Sequence, residues 1–329
     1  MSTDGQPVGP LCPTVSVIIP TRNRLSYLRR TLQTVLGQTG VDLEVIVVDE
    51  GSHDGTAEML GSIADRRVRV VRHETPKGLP AARNAGIALA TAPYTAFCDD
   101  DDMWAPDKLA AQLAAFEADP ATDWCGCGTV WVNSQLDLVR AYQPPKSGDI
   151  ADLVLQYNAL PASASAVVVR SKRLRQLGDF DTALRWGEDW EMWIRFALAG
   201  PVVTVDRPLV AILQHSQNMS SHSPRYQHDV AVIARRYDAE RRARGVRLNR
   251  SNLLRAQAEI ELLSGHRWKG LWQFVKQVGY GDGLGAVKRA AAAAVAPNTM
   301  LRRWDLKRRD AIPLAWRQEV PVWLEALRG

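Results

Sequence analysis

Four consecutive carboxylates follow an apolar run at residues 94–98. They lie in the segment Phe97-Cys-Asp-Asp-Asp-Asp-Met-Trp104. Adjacent carboxylates repel one another, and burying them without a counter-charge is costly, so they need a cation. In an extended segment Asp99 and Asp101 point to the same side, and this spacing suits a hard divalent ion with open positions for phosphate oxygens. The segment predicts a Mg²⁺ or Mn²⁺ site facing a diphosphate. The alternative is a solvated acidic loop beside a helix N-terminus.

Two further segments have residue types that suit a nucleotide. Asp49 ends the apolar run Val45-Ile-Val-Val-Asp49, where a carboxylate can accept hydrogen bonds from a base or ribose. Arg83 lies among small residues in Gly78-Leu-Pro-Ala-Ala-Arg-Asn-Ala-Gly86, and a guanidinium there suits a diphosphate. A capped turn and a surface salt bridge are the respective alternatives.

An acidic pair opens a later amphipathic segment, Trp186-Gly-Glu-Asp-Trp-Glu-Met-Trp-Ile-Arg195. Glu188 and Asp189 stand at the expected N-terminus of a helix, where the helix dipole favours an ionised carboxylate. Such a group suits a general base that takes a proton from a hydroxyl nucleophile. The neighbouring tryptophans either stack on a sugar or fill the core.

These segments are positioned by alternating strand and helix patterns. Strands are predicted at 15–19, 43–48, 68–71 and 94–98, and helices at 25–36, 56–63, 80–89 and 106–117. Strands that alternate with helices indicate a mostly parallel sheet covered on both faces. Ligands of such sheets bind beyond the carboxyl ends of the strands, which is where the polar clusters lie.

Composition limits the class of protein. The chain has 329 residues, 46% hydrophobic and 23% charged, with a net charge of +5, which excludes wholesale disorder, a collagen-like chain and a coiled-coil rod. Four cysteines do not make a disulfide scaffold. The first ten residues lack the features of a signal peptide, and no run reaches the length of a membrane span. We expect a soluble cytoplasmic protein.

The pattern changes after a Ser-rich stretch at 216–224. Beyond it only helices are predicted, at 226–263 with a break near Gly245, and at 268–278, 285–295 and 316–327. This region combines tryptophans with clustered Lys and Arg, which attract anions and are typical of a membrane interface. It is predicted either to contact an anionic membrane surface at the inner face of the cell membrane, or an acceptor, or to cap the catalytic domain. No nucleic-acid-binding motif is present.

Taken in order, the motifs resemble the inverting glycosyltransferases of family 2, which have the GT-A fold, over residues 14–220. The resemblance rests on these segments: Val15-Ser-Val-Ile-Ile-Pro-Thr21, Val48-Asp49, Asp54-Gly55-Thr56, Ala82-Arg83-Asn84, Asp99-x-Asp101-Asp102, Gly178-x-Phe180-Asp181 and Glu188-Asp189-Trp190. It implies a flexible N-terminus at 1–13, a catalytic domain at 14–220 and a helical C-terminal region at 221–329.

The resemblance also implies roles for individual residues. Nucleotide and diphosphate contacts are expected from Pro20, Thr21, Arg22, Asp49, Arg83, Asp99 and Asp100. Metal ligation is expected from Asp99, Asp101 and His215, and base chemistry from Asp189 beside Glu188. Two departures from the family pattern stand out: Glu50 replaces the usual second Asp, and Gln214 stands where an Arg is frequent.

The implied activity is metal-dependent transfer of a sugar, with inversion, from a nucleotide-diphosphate sugar, with UDP favoured. The acceptor would be a glycan, a lipid-linked molecule or a small molecule, in bacterial surface glycan or polysaccharide biosynthesis. Two alternatives stay open. One is a non-catalytic nucleotide- or carbohydrate-binding relative. The other is a nucleotidyltransferase, which the absence of Gly from Pro20-Thr-Arg-Asn-Arg24 disfavours.

Overall fold

A computed structural model of the chain describes residues 12–160, 164–215, 226–263, 267–280, 287 and 312–328. Its N-terminal half is a parallel sheet with strand order β3-β2-β1-β4. The strands are β1 (Val15–Thr21), β2 (Leu43–Asp49), β3 (Val68–Arg72) and β4 (Tyr94–Phe97). The helices between them are α1 (Leu25–Leu36), α2 (Thr56–Gly61) and α3 (Leu79–Leu89).

The sheet brings the carboxyl ends of its central strands together. Thr21 at the end of β1 pairs in register with Asp49 at the end of β2, and Ile18 of β1 pairs with Phe97 of β4. Helix α3 crosses β1 closely because Gly86 has no side chain, and a Cβ there would stand 2.4 Å from Ile18. The expected edge of polar residues is therefore formed by the loops after β1, β2 and β4.

The remaining strands extend the sheet in mixed directions. They are β5 (Asp102–Trp104), β6 (Trp124–Val132), β7 (Leu138–Tyr142), β8 (Val167–Arg170) and β9 (Val203–Leu213). The order continues β4-β8-β6-β9-β5, with β6 and β9 parallel and the other pairs antiparallel. The helices here are α4 (Lys108–Ala118), α5 (Ala151–Val154), α6 (Ser171–Leu177) and α7 (Glu188–Ala199), with a short 3-10 helix at Ala164–Ala166.

In the part of the chain that the structure describes, five helices follow the sheet: α8 (Tyr226–Arg236), α9 (Asp238–Ala243), α10 (Arg250–Leu263), α11 (Arg267–Val278) and α12 (Leu314–Glu325). Ile233 and Tyr237 are buried in the same core as Trp190 and Trp193 of α7. Trp316 of α12 covers β6, where a Cβ on Gly128 would stand 2.2 Å from its ring. Helices α8 and α12 therefore pack on the sheet domain.

Most predicted elements match the structure within two residues. The helix expected from Pro106 begins at Lys108 instead, since residues 106–107 form a turn. Gly245, with φ of 67°, follows α9 and ends the helical run, as its position predicted. The predicted boundary at 216–224 and helix at 285–295 lie outside the described residues, except for position 287. Among the residues that the structure describes, no helix is long and apolar enough to cross a membrane.

Candidate active site

A cleft of about 500 Å³ opens at the carboxyl edge of the sheet. Its walls include the loop after β1, the acidic run after β4 and the loop before α3. The lining residues are Pro20, Thr21, Arg22, Arg24, Glu50, Pro76, Gly78, Leu79, Pro80, Asp99, Asp100, Asp101, Asp102, Trp131, Arg185 and Ile212. The structure thus brings six of the expected site residues to one cavity.

The acidic run is a turn and not an extended segment. The Asp102 amide donates to the Asp99 carbonyl oxygen at 3.1 Å, which closes the turn. As a result the expected pair splits: Asp99 contacts Arg83, whereas Asp101 contacts Arg24 and His215. Asp100 accepts from Thr21 Oγ1 at 2.7 Å and from Arg24 Nη1 at 3.2 Å.

The two central carboxylates differ in proton affinity. Burial, with the charge of Asp101, raises the pKa of Asp100 to about 7 against the opposing charge of Arg24. Burial also pushes the pKa of Asp101 upward, but the hydrogen bond to His215 and the charge of Arg24 outweigh it and leave that pKa below its usual range. Asp101 is therefore the more readily ionised of the two carboxylates.

His215 contacts Asp101, although it is not among the residues that line the cleft. Its Nε2 lies 3.0 Å from Asp101 Oδ2, and its ring stacks on Tyr27 with centroids 4.3 Å apart. A carboxylate oxygen beside an imidazole nitrogen is a donor set that suits Mn²⁺. Within the described ranges, no group of three or more His, Cys, Asp or Glu side chains is already arranged to hold a metal. To hold a divalent ion here, Asp99 would have to turn from Arg83, or phosphate oxygens would have to supply the missing ligands.

Arg83 is a buried bridge between two acidic positions. Its Nη2 donates to Asp99 Oδ1 at 2.7 Å, and its Nη1 donates to Glu188 Oε1 at 2.9 Å. The side chain is only 2% exposed. Arg83 thus links the acidic turn to the N-terminus of α7, and its expected contact with a diphosphate stays a prediction. The neighbouring Asn84 joins α3 to the segment before α7, because its amide exchanges two 2.9 Å hydrogen bonds with the backbone of Phe180.

The carboxylate pair at the start of α7 has raised pKa values. Burial raises the pKa of Glu188 to about 7, with Arg83 opposing and Asp189 reinforcing the shift. Burial also raises the pKa of Asp189, against the charge of Arg83. Asp189 Oδ1 accepts from the Trp190 amide at 2.6 Å, and its Oδ2 lies 3.5 Å from Asn158 Nδ2. A raised pKa brings a carboxylate nearer to what a base needs at neutral pH.

The loop after β2 is held by its own carboxylates. Asp49 forms an ion pair with Arg72 and accepts from the Ser52 amide at 3.0 Å. Glu50 accepts from the Lys77 and Gly78 amides at 2.7 and 2.6 Å and pairs with His73. The unusual Glu50 therefore anchors the loop that leads into α3, along one wall of the cleft.

Three residues that hold parts of the site in place were not identified from the sequence. Arg24 neutralises the acidic turn, and Asn158 contacts Asp189. Asp229 of α8 is fully buried, and its Oδ2 accepts from the Arg185 and Trp186 amides, each at 2.8 Å. It fixes the loop just before Glu188. No local pattern points to Asp229, which is some 40 residues from the loop that it holds.

Comparison with known proteins agrees with this architecture. A family model, Glycosyl transferase family 2, matches residues 16–178. The succinoglycan biosynthesis protein ExoO of Rhizobium meliloti is 29% identical over 272 residues, which cover 74% of this chain and 76% of ExoO. The chain spans 32% to 45% of the length of several other curated glycosyltransferases that it matches.

Two solved structures share the fold. TarS 1–349 of S. aureus, in complex with UDP-GlcNAc, has a TM-score of 0.60 at 19% identity, over 85% of this chain and 81% of that one. The mannosyltransferase PcManGT of Pyrobaculum calidifontis, in complex with GDP-Man and Mn²⁺, has a TM-score of 0.50 at 19% identity, over 96% and 85%. With the α/β architecture, these similarities show that residues 16–178 belong to glycosyl transferase family 2 and that the chain has the GT-A fold.

Proposed function

We propose that the protein is a metal-dependent inverting glycosyltransferase that moves a sugar from a nucleoside-diphosphate sugar to an acceptor hydroxyl. The observation that carries the proposal is the continuous link from Asp101 and His215, through the acidic turn and Arg83, to the pair Glu188–Asp189. One end of this link would hold the metal ion that faces the diphosphate, and the other end would supply the base for the acceptor.

The donor would lie along the carboxyl edge of the sheet. Pro20, Thr21 and Arg22 line the cleft, and Asp49 stands in register beside Thr21 to receive the nucleoside. A UDP-sugar is the favoured donor, and the complex of TarS with UDP-GlcNAc supports that choice. The complex of PcManGT with GDP-Man keeps a guanine nucleotide as the second donor to test.

A divalent ion would be held by Asp99, Asp101 and His215, with Asp100 beside it. Mn²⁺ is supported by the complex of PcManGT with that ion. When bound, the ion would supply positive charge to the departing diphosphate. Arg24, which now pairs with Asp100 and Asp101, would share this task. Arg24 would thus place one of the chain's own cationic groups near the charge that develops on the leaving group.

Asp189 would accept the proton of the attacking hydroxyl. Attack from the side opposite the leaving group inverts the anomeric carbon. Glu188 is a positioning group in this scheme, because it holds Arg83 at 2.9 Å and so ties the base to the donor end. The acceptor is a glycan, a lipid-linked molecule or a small molecule, and the likeness to ExoO supports polysaccharide biosynthesis.

We also propose that the catalytic unit includes α8, beyond the expected limit at residue 220. Asp229 holds the loop before Glu188, Arg236 pairs with Glu191 at 3.0 Å, and Tyr237 donates to Glu191 at 2.6 Å. Each contact joins α8, or the residue after it, to α7 or the loop that leads into it.

The metal and donor assignments are tested by thermal unfolding with UDP, GDP, dTDP and CDP, each with and without Mn²⁺. A nucleotide at 100 times its dissociation constant adds about 2.7 kcal/mol to the folded state, which is a rise of a few degrees. We expect one nucleotide to give this shift only with Mn²⁺, and Asp101→Asn to remove the Mn²⁺-dependent part. Asp119→Asn, an exposed aspartate after α4, serves as the matched control.

An Asp101→Asn variant with unchanged Mn²⁺ and nucleotide affinity would contradict the metal assignment. Nucleotide binding without sugar transfer to any of a broad set of acceptors would favour the non-catalytic binding relative. Release of pyrophosphate from a nucleoside triphosphate would favour a nucleotidyltransferase.

The acid limb of the pH profile should reflect the raised pKa values at α7. A carboxylate base works only when deprotonated, so activity is present above its pKa and lost as the pH falls through it. Because burial raises the pKa of Asp189, and that of Glu188 to about 7, we expect kcat/KM to decline well above pH 4. Glu188→Gln removes the group whose pKa is about 7, so an acid limb that persists in this variant belongs to Asp189. A limb near pH 4 in the unaltered protein would contradict the assignment.

A further inference from the structure

Helix α11 exposes an apolar face. Trp268 is 71% exposed, Trp272 is 58% exposed and Val275 is 44% exposed. These positions are spaced i, i+4, i+7, so they form one stripe along the helix. The opposite face of α11 packs against α10: Phe274 is buried against Ala258, and Gln277 Nε2 donates to Ser251. The tryptophan stripe is therefore not part of the packing between α10 and α11.

Positive charge borders the same stripe. Lys269 and Lys276 are exposed, and Lys276 Nζ lies 5.7 Å from the centre of the Trp272 ring. The sequence of α11 contains no Asp or Glu. The stripe thus combines amphipathic aromatic rings with ammonium groups, and no carboxylate of the helix opposes an approaching anion.

We infer that the stripe formed by Trp268, Trp272 and Val275, with Lys269 and Lys276, docks α11 flat on an anionic lipid surface. Tryptophan rings favour the boundary between headgroups and acyl chains, and lysines beside them bind acidic headgroups. At 12 residues, α11 is about 18 Å long, too short to cross a bilayer but sufficient to lie in its plane.

The inference is independent of sugar transfer and is tested without an activity assay. The full chain is sedimented with vesicles of phosphatidylcholine alone, or of phosphatidylcholine with phosphatidylglycerol. We expect binding to the anionic vesicles that weakens with added salt. Replacing Lys269 and Lys276 with Gln should weaken it about fivefold for each lysine. Trp268→Ser with Trp272→Ser should reduce it at least as strongly.

A control variant with two replacements in α12 tests whether binding depends on the stripe of α11 or on any exposed apolar surface. Leu314 and Val322 of α12 are 69% and 77% exposed, and their replacement with Ser removes exposed apolar surface elsewhere. Unfolding midpoints show that each variant is folded. Absence of binding by the unaltered chain, equal binding to both kinds of vesicle, or loss of binding in the α12 pair alone would each overturn the inference. So would a dimer in light scattering that the tryptophan variant converts to a monomer, since a second copy would then cover the stripe.

Discussion

Replacing Asp189 with Asn is expected to lower the rate of sugar transfer by about 10²- to 10⁴-fold, the usual contribution of a general base. Asn has nearly the same shape but does not take a proton from the acceptor. The backbone amide of Trp190 and the Asn158 side chain, which now contact Asp189, lie within reach of the new amide. The loss should therefore appear in kcat, with nucleotide affinity close to that of the unaltered protein.

The matched control is Asp179→Asn. Asp179 lies ten residues before Asp189, is exposed, and contacts Arg195 through its backbone carbonyl oxygen only. Its replacement should leave both transfer and nucleotide affinity unchanged. Full transfer activity in Asp189→Asn would exclude Asp189 as the base. Equal loss of activity and of nucleotide affinity would show instead that Asp189 serves donor binding.

Arg83→Met should lower the free energy of unfolding by about 3–5 kcal/mol, the usual result of removing one partner of a buried ion pair. Arg83 is 2% exposed, and the side chain of Glu188 that it contacts is 4% exposed. Without the guanidinium, Glu188 keeps a buried negative charge beside Asp189, or takes up a proton to avoid it. Urea unfolding of the full chain measures the change, and an unaltered m-value shows that the transitions are comparable.

Two further variants distinguish the loss of the ion pair from the loss of packing as the cause of the lower stability. Arg83→Met combined with Glu188→Gln removes both charges and should recover part of the lost stability. Arg173→Met breaks a more exposed pair with Asp123, whose side chains are 35% and 27% exposed, and should cost about 0–1 kcal/mol. A cost for Arg83→Met no larger than that for Arg173→Met would mean that the link between the acidic turn and α7 adds little to stability.

Local sequence patterns were sufficient to predict the strands and helices of the N-terminal half. Helix α1 has the bounds that its apolar spacing predicted, 25–36, and strands β1 to β4 appear in the predicted order. Periodicity and turn residues act over a few positions, so one sequence carries that information. The same local reasoning placed polar residues at the carboxyl ends of the strands, because the chain leaves the sheet there.

The tertiary structure decided which charged side chains of the site form ion pairs with one another. The spacing of Asp99 and Asp101 suggested a shared side, but the turn closed by Asp102 sends them to different partners. Arg83 meets Glu188 across 105 residues, and Asp229 meets the loop before α7 across more than 40. The sequence by itself determined the family's motifs, their order and the strand ends that carry them. Only the packing of distant elements determined these ion pairs of the site, because each of them joins two chain segments that are separate in the sequence.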